Sequence, residues 1–169
     1  MQLFLDSSEI DKIRKYSDFG VIDGVTTNPS IILKSGKNMI EVISELASVV
    51  SGSVSAEVSA LDSEKMVEEG IKLSEIAKNV TVKLPITWDG LRACNILSKE
   101  GISVNMTLCF SSSQALLAAK AGAEYVSPFI GRLDDLNLEG IDLISDIKLI
   151  FSHYEFSTKI LAASIRTTN

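Results

Sequence analysis

Histidine, cysteine and proline are scarce in this chain of 169 residues, which has one histidine, two cysteines and three prolines. His153 has no second histidine with which to share a metal ion or relay a proton. A histidine-rich zinc site and catalysis led by a histidine base are therefore disfavoured. Cys94 and Cys109 lie far apart in apolar segments and form no CxxC pair. This spacing predicts buried thiols in a reducing compartment.

Long apolar runs and clusters of basic residues are also missing. No run is long enough to span a membrane, and the opening MQLFLDSSEI has neither the basic segment nor the long apolar region of a secretory signal. The net charge of −6 argues against a nucleic-acid-binding surface, which needs clustered lysine and arginine. The sequence therefore predicts a cytoplasmic protein with no nucleic-acid or membrane partner.

Short apolar or β-branched segments alternate with segments of helical periodicity along the chain. The segments with strand character are 2–5, 21–27, 54–58, 80–84, 102–108, 124–129 and 159–164. The segments with helical character are 7–16, 38–50, 62–78, 88–101, 111–122 and 135–154. Nearly continuous apolar strands suit a parallel sheet covered on both faces. Repeated βα units of this kind form either a doubly wound sheet or a closed (β/α) barrel.

The prolines favour the barrel. Pro29, Pro85 and Pro128 lie at the carboxyl ends of predicted strands, in TTNPS, VKLPI and VSPF, and polar residues crowd the same ends. Barrel enzymes build their sites at these ends. A doubly wound nucleotide binder usually has a glycine-rich loop after its first strand, whereas here that loop is DSSE. We therefore predict an α/β fold of the (β/α)8 TIM barrel class.

The length and the 46% of hydrophobic residues predict one domain over residues 1–169. Seven strands and six helices precede Asn169, whereas a closed barrel has eight strands. We therefore expect a barrel domain truncated after its seventh strand, with the last βα portion missing from this chain.

Lys83 lies inside the apolar segment VTVKLPIT, residues 80–87, where a charged ammonium is expensive to bury. One interpretation is a lysine whose stem lies along the strand while its charged head reaches solvent. The other is a Schiff-base lysine, because apolar surroundings disfavour the ammonium form and leave an amine that can attack a carbonyl. The imine would then act as an electron sink for breaking or making the adjacent carbon–carbon bond.

Asp6 and Glu57 lie in the first and third predicted strands and are candidate acid–base groups. One could take the proton from a substrate hydroxyl, and the other could position or activate a water. The alternative for each is a helix cap or a solvated charge. Asn28, Asn105 and Thr107 could bind substrate hydroxyls, with turn and capping chemistry as the alternative.

Arginine occurs four times, and two arginines follow strands at this same end. Arg132 lies in FIGRL and Arg166 lies in ASIRT, with Ser164 beside the second. Barrel enzymes often hold phosphate at their late βα loops, and a guanidinium offers paired N–H donors to phosphate oxygens. The three residues together predict a phosphorylated substrate, although each arginine alone could be a solvated loop residue.

Seven motifs, in this order and over nearly the whole chain, resemble those of the transaldolase family. They are FLDSSE, GVTTNPSI, AEVSALD, VKLPITWDGL, VNMTLCFSSSQA, YVSPFIGRLDD and ILAASIR. The resemblance is strongest to the short-chain members, close relatives of the fructose-6-phosphate aldolases. It implies a (β/α)8 barrel that needs no metal or cofactor and moves a dihydroxyacetone unit from a ketose phosphate to an aldose phosphate through a lysine imine. It also implies a role in the pentose phosphate pathway and a homo-oligomer, which is a ring-like assembly of ten subunits in relatives.

The resemblance assigns roles to matching residues. Lys83 would form the Schiff base, and Asp6 would be the acid/base group at the cleaved bond. Glu57 and Thr107 would hold the water that assists imine formation. The residues implied in substrate binding are Thr27, Asn28, Asn105, Ser127, Phe129, Arg132, Ser164 and Arg166. In this set the asparagines would bind the dihydroxyacetone part, the serine and phenylalanine of SPF would line the pocket, and the two arginines with Ser164 would bind the phosphate.

Two positions separate transaldolases from aldolase-type relatives, which tend to have glutamine in place of Glu57 and tyrosine in place of Phe129. A phenyl ring offers no hydroxyl to order a water, so it shields a covalent enamine better from early release. Both residues therefore favour a transaldolase. The alternatives are a fructose-6-phosphate-type aldolase and a non-catalytic barrel fragment that binds sugar phosphates.

Overall fold

The computed structural model describes residues 1–167. The backbone contacts divide the chain into two compact units, the first formed by Met1–Ala60 and Glu68–Lys83, the second by Leu61–Val67 and Leu84–Asn169. The single domain over residues 1–169 stays a prediction, and its last two residues lie outside the described part of the chain.

Strands and helices follow one another in the predicted order through the described residues, with one additional helix after the second strand and one after the sixth. The strands are β1 (Phe4–Asp6), β2 (Gly24–Thr26), β3 (Val54–Glu57), β4 (Val80–Pro85), β5 (Val104–Cys109), β6 (Tyr125–Pro128) and β7 (Lys159–Ile160). The helices are α1 (Ile10–Asp18), α2 (Pro29–Ser35), α3 (Met39–Val49), α4 (Ser63–Ser74), α5 (Trp88–Lys99), α6 (Ser112–Lys120), α7 (Ile130–Asp134) and α8 (Gly140–His153). No helix within residues 1–167 has the length and apolar character needed to cross a bilayer.

Two helices, α2 and α7, were not predicted from the sequence. They have seven and five residues and begin within a few residues of the end of a strand. Periodicity cannot reveal a helix this short, because fewer than two turns do not repeat an apolar position often enough. All strands except β4 are also shorter than the predicted apolar runs, and β4 extends one residue beyond its run. An apolar run marks burial and not the extent of backbone pairing.

In the first unit, β1, β2, β3 and β4 pair in parallel and in chain order. Register partners in neighbouring parallel strands point to the same face, and successive residues alternate between faces. One face is apolar and carries Leu5, Val25, Val54, Ala56, Val80 and Val82. The other face is polar and carries Asp6, Thr26, Ser55, Glu57, Thr81 and Lys83. Much of the polar face is nevertheless buried, so the strands combine the burial typical of parallel sheets with an alternating pattern.

Helix packing anchors the first unit. Helix α3 packs against α1 and against β3. Ile13, Ile43 and Leu46 are fully buried, and each such side chain contributes about 1.5–3 kcal/mol relative to an exposed one. This helix layer holds the strands that carry the polar face.

In the second unit, β5, β6 and β7 also pair in parallel and in chain order. Asn105, Tyr125 and Lys159 are register partners on one face, and Met106 and its partners occupy the other. Helices α5 and α6 pack on β5, and α8 packs on α6 and β7. The β5–β6 register shifts after Met106, and Leu108 adopts a left-handed backbone with φ of 61°. This irregularity directly follows Thr107.

Candidate active site

Glu57 and Lys83 are register partners on β3 and β4 and form a direct ion pair. Lys83 Nζ lies 2.9 Å from Glu57 Oε2 and donates a hydrogen bond of 3.1 Å to the carbonyl oxygen of Thr27. Only 6% of Lys83 is exposed. The interpretation in which the lysine head reaches solvent is therefore wrong.

The arrangement explains how a strand inside the fold tolerates a lysine. Val82 points to the opposite, apolar face and is fully buried. A buried charge is tolerated when it is paired and hydrogen-bonded, and both conditions are met at Lys83. A lysine nitrogen held beside a carboxylate is an arrangement that suits amine chemistry at a carbonyl carbon.

Asp6 lies on the same polar face, at the end of β1. Its Oδ1 accepts a hydrogen bond of 2.8 Å from the hydroxyl of Thr26, its register partner on β2. Asp6 is exposed, so a ligand can reach its carboxyl group. The hydroxyl of Thr26 orients this carboxylate, a role that the sequence did not assign although alternation along β2 could have indicated it.

Thr27 and Asn28 begin the loop after β2. The Thr27 hydroxyl donates to the Ser55 carbonyl at 2.9 Å. The contact between Thr27 and Lys83 is made by the backbone carbonyl of Thr27. Asn28 Oδ1 accepts a hydrogen bond of 2.9 Å from the backbone N–H of Ile31 and caps α2, which Pro29 begins. The capping alternative for Asn28 is therefore confirmed. Capping uses the amide oxygen, which leaves the amide nitrogen as the donor that Asn28 could offer to a ligand.

A groove of about 710 Å³ opens beside Asp6. Its walls come from the start of α1 and from α2 and α3, and include Lys34 and Lys37. Neither Glu57 nor Lys83 lines it. Basic side chains in the groove are offset by acidic ones, as in the 3.1 Å pair between Lys37 and Glu45, so its charges favour no single class of ligand.

Three predicted residues of the second unit lie on one face of β5 and β6. The Ser127 hydroxyl donates to Asn105 Oδ1 at 2.8 Å, which fixes the orientation of the amide. Thr107 Oγ1 is buried and makes no hydrogen bond within residues 1–167. Leaving a buried hydroxyl unpaired costs about 1–3 kcal/mol. Thr107 is therefore a candidate for binding a ligand atom or a water.

Phe129 contacts both an aromatic ring and an arginine. Its ring packs edge-to-face on Phe110 with centroids 5.8 Å apart. The guanidinium carbon of Arg132 lies 5.5 Å from the centroid of the Phe129 ring. Phe129 also pairs with Ala163 through an isolated parallel bridge, which extends the β6–β7 pairing toward Ser164.

Arg166 makes contacts with both Ser164 and Asp135. Its Nη1 donates to the carbonyl oxygen and the hydroxyl of Ser164 at 2.8 and 2.9 Å. Its Nε and Nη2 donate to the two carboxylate oxygens of Asp135 at 3.1 and 2.6 Å. These hydrogen bonds and the positive charge of Arg166 lower the pKa of Asp135. The sequence did not single out Asp135, because nothing in LDD distinguishes a carboxylate that pairs with an arginine thirty-one residues later.

Parallel βα units and a buried lysine paired with a carboxylate define an α/β protein with the features of a barrel enzyme. A family model described as Transaldolase/Fructose-6-phosphate aldolase matches residues 3–169. The chain belongs to this transaldolase and fructose-6-phosphate aldolase family, and it is an enzyme of the aldolase and transaldolase kind.

Several similar proteins carry the name probable transaldolase. One from Roseobacter denitrificans is 62% identical over 169 residues, covering 100% of this chain and 78% of the relative. One from Ruegeria sp. strain TM1040 is 61% identical with the same coverage. One from Cereibacter sphaeroides strain ATCC 17029 is 59% identical and is covered over 77% of its length. Family membership confirms the resemblance and, with the parallel βα units, the predicted fold class.

Proposed function

We propose that this chain is a transaldolase that moves a dihydroxyacetone unit from a ketose phosphate to an aldose phosphate through an imine on Lys83. The donors are sedoheptulose 7-phosphate or fructose 6-phosphate, and the acceptors are glyceraldehyde 3-phosphate or erythrose 4-phosphate. The observation that carries the proposal is the buried Lys83 amine, 2.9 Å from the Glu57 carboxylate. The names of the relatives support the same activity.

The chemistry begins at the Lys83 nitrogen. Glu57 takes a proton from the ammonium, and the amine attacks the carbonyl carbon of the ketose. Loss of water from the addition product gives the imine. The substrate hydroxyl beside the bond to be cleaved then loses its proton, and the carbon–carbon bond breaks. An aldose leaves, and the two electrons of the broken bond pass to the imine, which becomes an enamine. The enamine carbon attacks the carbonyl carbon of the acceptor, the acceptor oxygen takes up the proton lost in the cleavage, and the imine re-forms on the new ketose. Water then hydrolyses this imine and releases the new ketose and the free amine.

Asp6 is proposed to handle the hydroxyl proton. Its carboxylate lies on the same polar face as Glu57 and Lys83 and is oriented by Thr26. The roles of Thr27, Asn28, Asn105, Thr107, Ser127, Phe129, Arg132, Ser164 and Arg166 in substrate binding or water activation stay predictions. So do the pentose phosphate pathway, the cytoplasmic location and the ring-like homo-oligomer.

A fructose-6-phosphate aldolase is the second candidate, since the matching family model covers both activities. Glu57 and Phe129 favour transfer over release, as argued from the sequence. Fructose 6-phosphate supplied with and without an aldose-phosphate acceptor separates the two activities. Product formed only with the acceptor supports a transaldolase, whereas efficient release of free dihydroxyacetone supports an aldolase.

Trapping the imine tests the mechanism directly. Borohydride reduction in the presence of fructose 6-phosphate, followed by peptide mass spectrometry, is expected to find a dihydroxyacetone-derived adduct on Lys83. Lys78→Arg is the matched control because Lys78 is exposed and lies five positions before Lys83, and it should retain the adduct. Lys83→Arg keeps a positive charge opposite Glu57 and should lose it. An adduct on another lysine, or none in the unmodified chain, would overturn the assignment.

A further inference from the structure

The guanidinium of Arg166 has most of its donors already occupied. An arginine has five N–H donors in a fixed fork. Two go to the carboxylate of Asp135 and two go to Ser164. In this arrangement no edge of the guanidinium keeps two N–H donors for a second anion.

Asp135 occupies the edge that a phosphate would use. Carboxylates and phosphates both bind an arginine best through two parallel N–H···O bonds. Nε and Nη2 of Arg166 make this paired contact with Oδ1 and Oδ2 of Asp135. The opposite nitrogen, Nη1, is held by Ser164. A phosphate that binds Arg166 with two hydrogen bonds must therefore displace one of these partners.

We propose that Asp135 is an internal competitor for the anion-binding edge of Arg166, so that a substrate phosphate binds there by displacing the Asp135 carboxylate. The proposal rests on the proposed function in one respect, the assignment of the substrate phosphate to Arg166. The strength of the contact between Asp135 and Arg166 then determines how strongly an anion must bind Arg166 to displace the carboxylate. A phosphate with close to two negative charges displaces a carboxylate with one, whereas an unphosphorylated sugar does not.

The exposure of the pair makes the exchange feasible. The side chains of Arg166 and Asp135 are 43% and 53% exposed, so water can solvate the displaced carboxylate. Exposed ion pairs contribute little net stability, and an anion with more charge can therefore replace one partner. Of the two partners of Arg166, Ser164 is less free to move than Asp135, because a backbone hydrogen bond at Ala163 holds its segment.

The backbone that carries Arg166 stays in place during such an exchange. The Ala163 N–H donates to the Pro128 carbonyl at 2.8 Å, and α7 passes so closely that a Cβ on Gly131 would lie 1.8 Å from the Ser164 carbonyl oxygen. Only the end of the Arg166 side chain, or the Asp135 side chain, has to move.

Asp135→Asn tests the proposal because it keeps the shape and removes the charge. Asp146→Asn is the matched control, an identical change at an exposed position of α8. Calorimetric titration at constant ionic strength would measure the affinity for inorganic phosphate, for fructose 6-phosphate and for fructose. We expect Asp135→Asn to bind both phosphates about two- to fivefold more tightly, the range expected for an exposed ion pair. Fructose binding should not change, and Asp146→Asn should match the unmodified chain.

Every other outcome overturns the proposal. Weaker phosphate binding in Asp135→Asn would mean that Asp135 positions Arg166 and does not compete. Equal affinity, equal gains in both variants, or no phosphate binding by the unmodified chain would mean that no competition exists at Arg166. Thermal unfolding checks that each variant is folded, and Asp135→Ser replaces the asparagine variant if that one is not. The Lys83 adduct is scored separately, so tighter phosphate binding without an adduct would contradict the proposed function alone.

Discussion

Glu57 and Lys83 face each other across β3 and β4 as register partners, with 2.9 Å between Oε2 and Nζ. Each lies on a strand that also buries apolar residues on its opposite face. The pair is therefore both part of the protein interior and the centre of the proposed chemistry, so a mutation of either residue should affect stability as well as catalysis.

Removing one member of the pair should destabilise the fold more than removing both. Lys83→Met leaves the Glu57 carboxylate in a largely buried position without its cation, and an uncompensated charge of this kind costs about 3–5 kcal/mol. The double variant Glu57→Gln with Lys83→Met leaves no charge and should recover most of that loss. Urea denaturation of the single and double variants measures the difference, and a double variant that is no more stable than Lys83→Met contradicts the expectation.

Replacing the unpaired hydroxyl of Thr107 should affect activity without lowering stability. Thr107→Val replaces the hydroxyl by a methyl group of similar size, so it should leave the free energy of unfolding unchanged or raise it by up to about 1 kcal/mol. If the hydroxyl binds water or substrate, turnover should fall in the same variant. Thr107→Ser keeps the hydroxyl and should keep activity. Full activity in Thr107→Val would exclude a catalytic role for this group.

Gly131 should be intolerant of any side chain. An added Cβ would overlap the Ser164 carbonyl and would lie 3.0 Å from Cγ of Arg166. The backbone must shift to accommodate it, which costs about 1–3 kcal/mol and moves Arg166. We expect Gly131→Ala to lower the melting temperature and to weaken inorganic phosphate binding together. A stable variant with unchanged phosphate affinity would show that this close approach does not position Arg166.

The two cysteines should be unreactive in the folded protein. Burial raises the pKa of Cys94 to about 12 and the pKa of Cys109 to about 11, whereas an unfolded thiol has a pKa of about 8.5. At pH 8 an aromatic disulfide reagent should therefore modify both thiols quickly in guanidinium chloride and slowly without it. Rapid modification of the folded chain would show that these segments open readily.

The same shifts set the direction of a stability change at high pH. The folded pKa lies above the unfolded one, so both states hold the proton below about pH 8.5 and only the unfolded state loses it above that. Stability should fall as the pH rises from there toward the folded values. Cys94→Ala should reduce this loss.

The sequence by itself predicted the order of the strands and of the longer helices, the fold class and the family. Short apolar segments that alternate with helical periods carry that information, because burial and chain connectivity restrict repeated βα units to a few arrangements. It also singled out Lys83, since a lysine inside VTVKLP is unusual in composition alone. The short helices α2 and α7 escaped prediction because they are too short to show a period.

Only the tertiary structure decided what each polar side chain contacts. Strand register brings Lys83 to Glu57, although twenty-five residues separate them, and brings Thr26 to Asp6. Arg166 meets Asp135 because the segment after β7 is held against α7, a contact that no local pattern encodes. Hydrogen bonds and ion pairs are sensitive to differences of a few tenths of an ångström in the separation of groups far apart in the chain. They are therefore determined by packing and not by the order of residues.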